Sequence, residues 1–289
     1  DTVRLNPESN VQFGEGGAGT FSDGKLNTLV KDSCARNRFV LETFVRLGAP
    51  KRILYEQKPN VGTDILAEVV RNLRAEIQKY GGEIRFHSCL TEMVCMQESG
   101  FRSLREIVVN GKEHLAAEVL VAAIGHSARD TFQMLYESGI PMQAKAFAVG
   151  VRIEHPQKMI QEAQYGSVLA ESLPAAAYKL SEKLNNGRGV YTFCMCPGGY
   201  VVNASSQERH LAVNGMSYSG RNGKNANSAV IVTVTPDDYG SPHPLAGIYF
   251  QRRLEASAYK EGAGRVPVQC FGDFCRNQAT TSLGEISPQ

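Results

Sequence analysis

Gly14, Gly16, Gly17, Gly19 and Gly24 fall within eleven positions. No other feature constrains the fold of this chain as tightly. Ordering a glycine costs more backbone entropy than ordering any other residue. A dense cluster is therefore favoured where a missing Cβ is required, at positive φ or where backbone must approach a ligand closely. Close approach to a phosphate is one such use. A mobile glycine-rich connector is the other reading, and glycine count alone leaves both open.

The chain has 289 residues, 42% of them apolar, enough for one large domain or two ordinary ones with a real core. A formal charge of +2 creates no field that would argue for nucleic acid or a membrane surface as a partner. No apolar run approaches the ~18 residues of a spanning helix. Seven cysteines are an odd number and sparse for this length, which fits reduced thiols and a cytoplasmic location. The first residues read like the middle of a longer sequence, and the polar tail 276–289 has no clear period. The expectation is a fragment cut at both ends.

Local patterning gives an outline. Apolar residues at Phe39, Val40, Phe44, Val45 and Leu47 have helical spacing, with Gly48 as the stop. Residues 63–80 predict the clearest helix. Ile65, Leu66, Val69, Val70, Leu73 and Ile77 form one stripe, Thr63 or Asp64 caps it, and Gly81-Gly82 ends it. Ile84, Phe86 and Leu90 read as a strand. Segments 92–96 and 104–110 read as paired strands, and Asn110-Gly111 predicts a hairpin turn into 114–117. Glu118 to Gly125 is almost wholly apolar and predicts a buried, central, parallel strand. It runs into a helix from His126 with Ser127 as cap. A strand–Gly–helix junction is where ligands of open α/β sheets sit. After Pro141 the texture changes. Segments 146–153, 185–203 (broken at Pro197-Gly198-Gly199) and 228–235 read as strands, and a helix starts at 254–259. The expected organisation is a domain over 1–145, a β-rich domain over 146–275 and a tail over 276–289.

Gly19 to Lys25 nearly fits the P-loop pattern, but Leu26 stands where the Mg²⁺-binding hydroxyl belongs and no apolar strand precedes it. No Gly-x-Gly-x-x-Gly follows a predicted strand, so no complete dinucleotide fingerprint is present. Cys194-Met-Cys196 places two thiols on one strand face. Four metal ligands are not in reach, so no metal site is expected. Two buried reduced cysteines and a redox pair remain as readings. His126 at the strand–helix junction and His155 in Arg152-Ile-Glu-His-Pro are candidate acid/base groups, weighed against ordinary structural histidines. Asn214-Gly-Met-Ser217, Arg221 and Asn225-Ala-Asn227-Ser228 form a polar group that is either turns around a hairpin or the lining of an anion-binding cleft.

Five stretches together resemble a bacterial family of FAD-dependent proteins, described as uncharacterised NAD(FAD)-utilising dehydrogenases. They are Ser9–Leu26, Ala123–Phe132, Phe147–Pro156, Arg188–Gly199 and Asn225–Ala229. The resemblance covers residues 1–275. It implies a partial Rossmann-type FAD-binding domain with a β-rich insertion domain, an α/β fold that is α+β overall. It implies that FAD is contacted by Gly14, Glu15, Gly16, Gly17, Ala18, Gly19, Thr20, Ser22, Asp23, Gly24 and Lys25. Leu90 and Ala123, Ile124, Gly125 and His126 would line the adenosine and phosphate region. Arg129, Arg152 and Arg221 would meet a substrate anion, making His126, His155, Arg152 and Arg221 the candidate catalytic groups. The family's N-terminal Gly-x-Gly-x-x-Gly unit and its C-terminal flavin-closing segment are not matched. The chain alone is thus expected to hold FAD weakly.

The leading expectation is a piece of a flavin-dependent oxidoreductase acting on a small molecule, with NADH or NADPH as a possible electron donor. The alternatives are a flavin- or nucleotide-binding module without turnover, and a nucleotide hydrolase built on the near P-loop.

Overall fold

The structure is a computed structural model and describes residues 5–22, 24–26, 31–98, 100–170 and 172–284. Helices and antiparallel sheets mix along the chain, an α+β content. The chain divides into two compact units. One comprises Asp1–Leu73, Ala146–Val234 and Arg252–Gln289, the other Arg74–Lys145 and Thr235–Gln251.

In the first unit, α1 (Arg36–Arg46) and α2 (Thr63–Lys79) carry the helical stripes expected of them. Leu47, Ala49, Ile53, Val61 and Val69 form a buried cluster there, with Leu41, Phe44, Ile65, Leu66 and Leu73 packed on it. The Thr63 hydroxyl donates to the Ser22 carbonyl, and the Asp64 carboxylate accepts from the Ser219 amide at 3.0 Å and its hydroxyl at 2.7 Å. Burial raises the Asp64 pKa. The Ser219 hydrogen bonds, with those from the backbone of Asp64 and Ile65, outweigh it and hold the carboxyl below its usual value.

The second unit holds a three-stranded antiparallel sheet in the order β1 (Leu90–Glu98), β2 (Phe101–Val109), β3 (Glu113–Ala116). The β2–β3 turn is the expected one. Asn110 and Gly111 have φ of 54° and 65°, the left-handed pair that a two-residue hairpin demands. Residues 84–86 do not form a strand. Phe86 is exposed, and Arg74 lies 5.3 Å from its ring centre. The larger correction concerns 118–125. It is neither a strand nor buried, and Val119 and Val121 are each 83% exposed. A strand exists by pairing, and among the described residues no strand pairs with this segment. The parallel Rossmann-type sheet expected here is therefore not formed by the described residues. The helix that follows, α3 (Arg129–Glu137), is capped by Ala128 rather than Ser127, whose hydroxyl lies 3.2 Å from His126 Nε2.

The β-rich segment of the first unit builds a four-stranded antiparallel sheet. Its strands are β4 (Phe147–Pro156), β5 (Ser181–Lys183), β6 (Gly189–Cys196) and β9 (Asn225–Val234), in the order β4-β9-β6-β5. A two-stranded ladder joins β7 (Tyr200–Asn203) and β8 (Val213–Met216). Helix α4 (Gln157–Tyr165) follows β4 directly. After the single turn α5 (Pro236–Tyr239), helix α6 (Ala246–Glu261) begins eight residues ahead of the expected 254. The short α7 (Phe271–Cys275) completes the described elements. No described helix is long and apolar enough to cross a membrane.

Candidate functional site

The centre of the four-stranded sheet carries its chemistry. β9 has a strand on each side, and other parts of the chain cover both faces of its first residues. Ala226, Asn227 and Ser228 have no exposed surface. The polar run at 225–228 is the start of a central strand, with Asn225 half-buried and the next three residues fully buried. Register makes the next step. Arg152 pairs with Ala229 and Cys196 with Asn227, so the odd-numbered β9 residues, Arg152 and Cys196 share one face.

Between Phe193 and Cys196, β6 spends one residue more than β9, a β-bulge, with Cys194 left-handed at φ 46°. The bulge breaks the expected period of two. Cys194 turns out to solvent, while Met195 and Cys196 stay buried. The Arg152 guanidinium reaches across β9 and donates to the Cys194 carbonyl at 2.9 and 3.3 Å. The Cys196 thiol donates to the same carbonyl at 3.3 Å. Burial pushes the Arg152 pKa down, and the Cys196 and Cys194 sulfurs beside it push it back up.

Two further side chains complete this face. Asn227 is buried, and neither its amide nitrogen nor its amide oxygen has a hydrogen-bond partner. Gly215 on β8 lies beneath it. A Cβ there would strike both Asn227 Oδ1 and the Arg152 guanidinium, so only glycine admits the pair. The other face holds His155, whose Nε2 is 2.8 Å from the Tyr178 hydroxyl and whose buried Nδ1 has no partner. Burial lowers the His155 pKa and raises that of Tyr178, the latter against a hydrogen bond with Ser228 and the charge of Arg152.

Pro197-Gly198-Gly199 then turns the chain into β7. Gly198, at φ 51°, sits so close to the Arg221 carbonyl that a Cβ would collide, and its amide donates to Gln157 Oε1 at 2.9 Å. The buried Ser217 hydroxyl donates to the Pro197 carbonyl at 2.9 Å. Arg221, also left-handed, lines an open cavity of about 650 Å³ with Arg52, Lys58 and Asn60.

The glycine segment belongs to the same unit. Lys25 Nζ donates to the Met195 carbonyl at 2.5 Å, and Gln12 Nε2 to the Ala204 carbonyl at 3.0 Å. Residues 24–26 lie extended against 59–61, with Val61 N donating to Gly24 O at 3.0 Å and Leu26 N to Pro59 O at 2.9 Å. No helix starts at Lys25, and its ammonium is committed to a carbonyl. The P-loop geometry is therefore absent among the described residues. The spacing Gly14-x-Gly16-x-x-Gly19 fits the dinucleotide pattern, but among the described residues no strand precedes it. Turns lead into it, and Gly17–Phe21 is a 3-10 turn, so no helix N-terminus faces a pyrophosphate. The segment does keep an open, unusual backbone. Gly14, Gly16 and Gly17 have φ of 96°, 82° and 53°, and a Cβ on Gly14, Gly17 or Gly19 would meet nothing within 4 Å. Thr20 Oγ1 is buried beside Gly16 without a hydrogen-bond partner. Glu15 is exposed and Ser22 Oγ donates to the Gly19 carbonyl at 3.0 Å. Asp23 lies outside the described residues, and the side chain of Ala18 likewise.

The remaining sequence candidates are in the second unit. Leu90 opens β1 opposite Val109. Ala123 and Ile124 belong to no helix or strand, and Gly125, left-handed at φ 71°, leads to His126. Arg129 is buried and donates to Gln251 Oε1 at 3.2 Å. Among the described residues no cluster of His, Cys, Asp and Glu could hold a metal. Gly215 and Asn227 both lie in the polar group read from the sequence, over 214–217 and 225–228, and the packing of β8 against β9 brings them together.

Residues 146–289 match the model of a family described as FAD-dependent protein, C-terminal domain-like. The match supports a FAD-dependent family for this chain and contains the whole Arg152–Cys194–Cys196–Asn227 face. The chain is also 54% identical, over 99% of its length, to an uncharacterised protein of Clostridium beijerinckii. It spans about half of that relative, 53% of its length.

Proposed function

From a chain whose β-rich half matches a FAD-dependent family, we propose that it forms part of an FAD-dependent oxidoreductase acting on a small molecule. The observation that carries this reading is the glycine segment. Left-handed backbone at Gly14, Gly16 and Gly17, with open space beside Gly14, Gly17 and Gly19, fits close approach of a large planar or anionic group. The buried, unpartnered Thr20 hydroxyl supplies a hydrogen-bonding group there. Without a helix start at these glycines, this reading places them on the flavin side of the cofactor rather than at its pyrophosphate.

Bound flavin supplies reversible two-electron redox chemistry. The chain's own residues orient and shield. Lys25 and Gln12 tie the glycine segment to the Cys194–Gly199 turn and to Ala204, which fixes its position on the β-rich sheet. Arg152 places a fixed positive charge at that sheet's centre, where it would favour an anionic substrate or a reduced, anionic partner. His155 is held by Tyr178 and shifted toward its neutral form, so it would accept a proton rather than donate one near neutral pH.

The test is the visible spectrum of the intact protein carrying this chain, purified and then titrated anaerobically with NADH or NADPH. A flavin spectrum that bleaches supports the oxidoreductase. A flavin spectrum that neither nucleotide changes, with no turnover of any reductant, points instead to a flavin-binding module. No flavin, even after incubation with FAD, overturns both.

A further inference from the structure

We propose that the open cavity of the first unit lined by Arg52, Lys58, Asn60 and Arg221 binds a small organic molecule carrying a phosphate monoester. The site is separate from any cofactor at the glycine segment, and the inference does not rest on the flavin reading. It rests on the charge of the lining, on one donor in it, and on how its walls are held.

The cavity of about 650 Å³ is of a size that small-molecule sites have. Its lining gathers three cations, Arg52, Lys58 and Arg221, against one carboxylate, that of Glu56. Glu56 Oε1 lies 3.4 Å from Arg52 Nε, four residues back along the chain. A guanidinium carries five N–H donors, so this contact leaves Arg52 donors for a second acceptor. Lys58 is exposed and forms no ion pair among the described residues. Like charges gathered around one space repel, and a ligand with two negative charges turns that repulsion into attraction. A phosphate monoester carries close to two negative charges at neutral pH.

The second observation is Asn60. It lines the same cavity, is only 7% exposed, and its amide nitrogen has no hydrogen-bond partner. Its backbone is fixed by an antiparallel bridge to Lys25. Buried donors are nearly always paired, so this one calls for an acceptor that the chain does not supply. Phosphate has a third oxygen to offer after Arg52 and Lys58 have each taken one, whereas a carboxylate has only two. Ile65, Pro174 and Ala175 add apolar lining for the organic part.

The third observation is that the walls are already tied together. Ser219 donates from its amide and its hydroxyl to the Asp64 carboxylate at 3.0 and 2.7 Å. The Thr63 amide donates to the Ser217 carbonyl at 3.4 Å. Gly62 sits so close to the Ser219 backbone that a Cβ would collide with it. The Arg221 amide, on a left-handed residue at φ 48°, closes a turn onto the Tyr218 carbonyl at 3.1 Å. Arg221 is thus mounted on a wall bound to the one that carries Asn60, and little ordering is left for the ligand to impose.

The intact protein carrying this chain is titrated calorimetrically with glycerol 3-phosphate, with succinate and with glycerol. The expected result is one saturable site per chain for the phosphate ester, succinate weaker by about tenfold, and no binding of glycerol. Lys58→Ala should weaken the ester by about tenfold, the loss of one charge-assisted contact. Lys183→Ala, at an exposed position on β5, removes the same charge outside the cavity and should leave the affinity unchanged. Asn60→Asp keeps the shape, sets a negative charge at the donor and should abolish binding. If that variant does not fold, the two lysine variants decide. The FAD content should be the same before and after saturation with the ester. A protein that holds no flavin and still binds the ester breaks the flavin reading alone. No saturable binding of the ester, succinate bound as tightly, equal losses in the two lysine variants, or release of FAD by the ester would each overturn the proposal.

Discussion

Two apolar runs of similar composition meet opposite fates. Ala229 to Val234 forms the centre of a four-stranded sheet, flanked by β4 and β6, and Val234 at its end is buried. Glu118 to Gly125 is as apolar, yet it joins no sheet among the described residues and leaves Val119 and Val121 exposed. Composition reads the capacity to be a strand. A partner on each side decides whether that capacity is used, because backbone amides and carbonyls need a ladder before side chains can be buried.

The sharpest way to break this comparison is proline. Ile231→Pro removes a ladder donor from the central strand and should destabilise the first unit by about 3 kcal/mol or more. Val121→Pro removes nothing paired and should cost under about 0.5 kcal/mol. Urea unfolding of the two variants measures both, and equal losses would show that 118–125 is structured after all. Next in size is Gly215→Val, whose branched side chain would drive into Arg152 and Asn227. A loss of about 2–3 kcal/mol is expected, with repacking the only relief. Unchanged thermal stability would mean that the face is looser than the structure makes it.

Asn227→Leu should move the other way. Both polar atoms of the amide are buried and unpartnered, so an apolar side chain of similar volume should raise stability by about 1 kcal/mol. A decrease of that size would show that the amide holds a hydrogen bond the protein needs. The smallest effect is the pH dependence of His155. Burial depresses its folded pKa below the unfolded value of about 6.5. Its contribution is therefore present above that value and is lost as pH falls through the folded pKa, since the unfolded chain binds the proton more readily. His155→Gln should flatten the stability–pH curve below about pH 6.5 and leave the curve above pH 7 parallel to wild type, as urea unfolding at a series of pH values would show.

What could be read from the sequence was local. The stripe of α2 and the Asn110-Gly111 hairpin depend on neighbours a few residues away, and both stand as expected. β4 and β9 were visible as β runs for the same reason. The failures were non-local. The bulge that separates Cys194 from Cys196 arises from register against Asn227, thirty residues on, and no periodicity within 194–196 encodes it. The commitment of Lys25 to the Met195 carbonyl joins positions 170 apart. Asn227 and Gly215 carry no motif, and their importance comes from sharing one space with Arg152. Ser127 is not the cap because α3 begins at Arg129, one residue later than a Ser127 cap requires.

The central claim is that the glycine segment is the flavin-facing part of a cofactor site. It is tested most directly by quantifying FAD released on denaturation from the intact protein and from its Gly17→Val variant. Gly17 is left-handed and a side chain there meets only open space, so the substitution strains that turn locally and blocks the approach a flavin would take. The account predicts close to one FAD per chain in wild type and a large loss in the variant, with the β-rich sheet still folded by circular dichroism. Equal FAD content in the two proteins would contradict it.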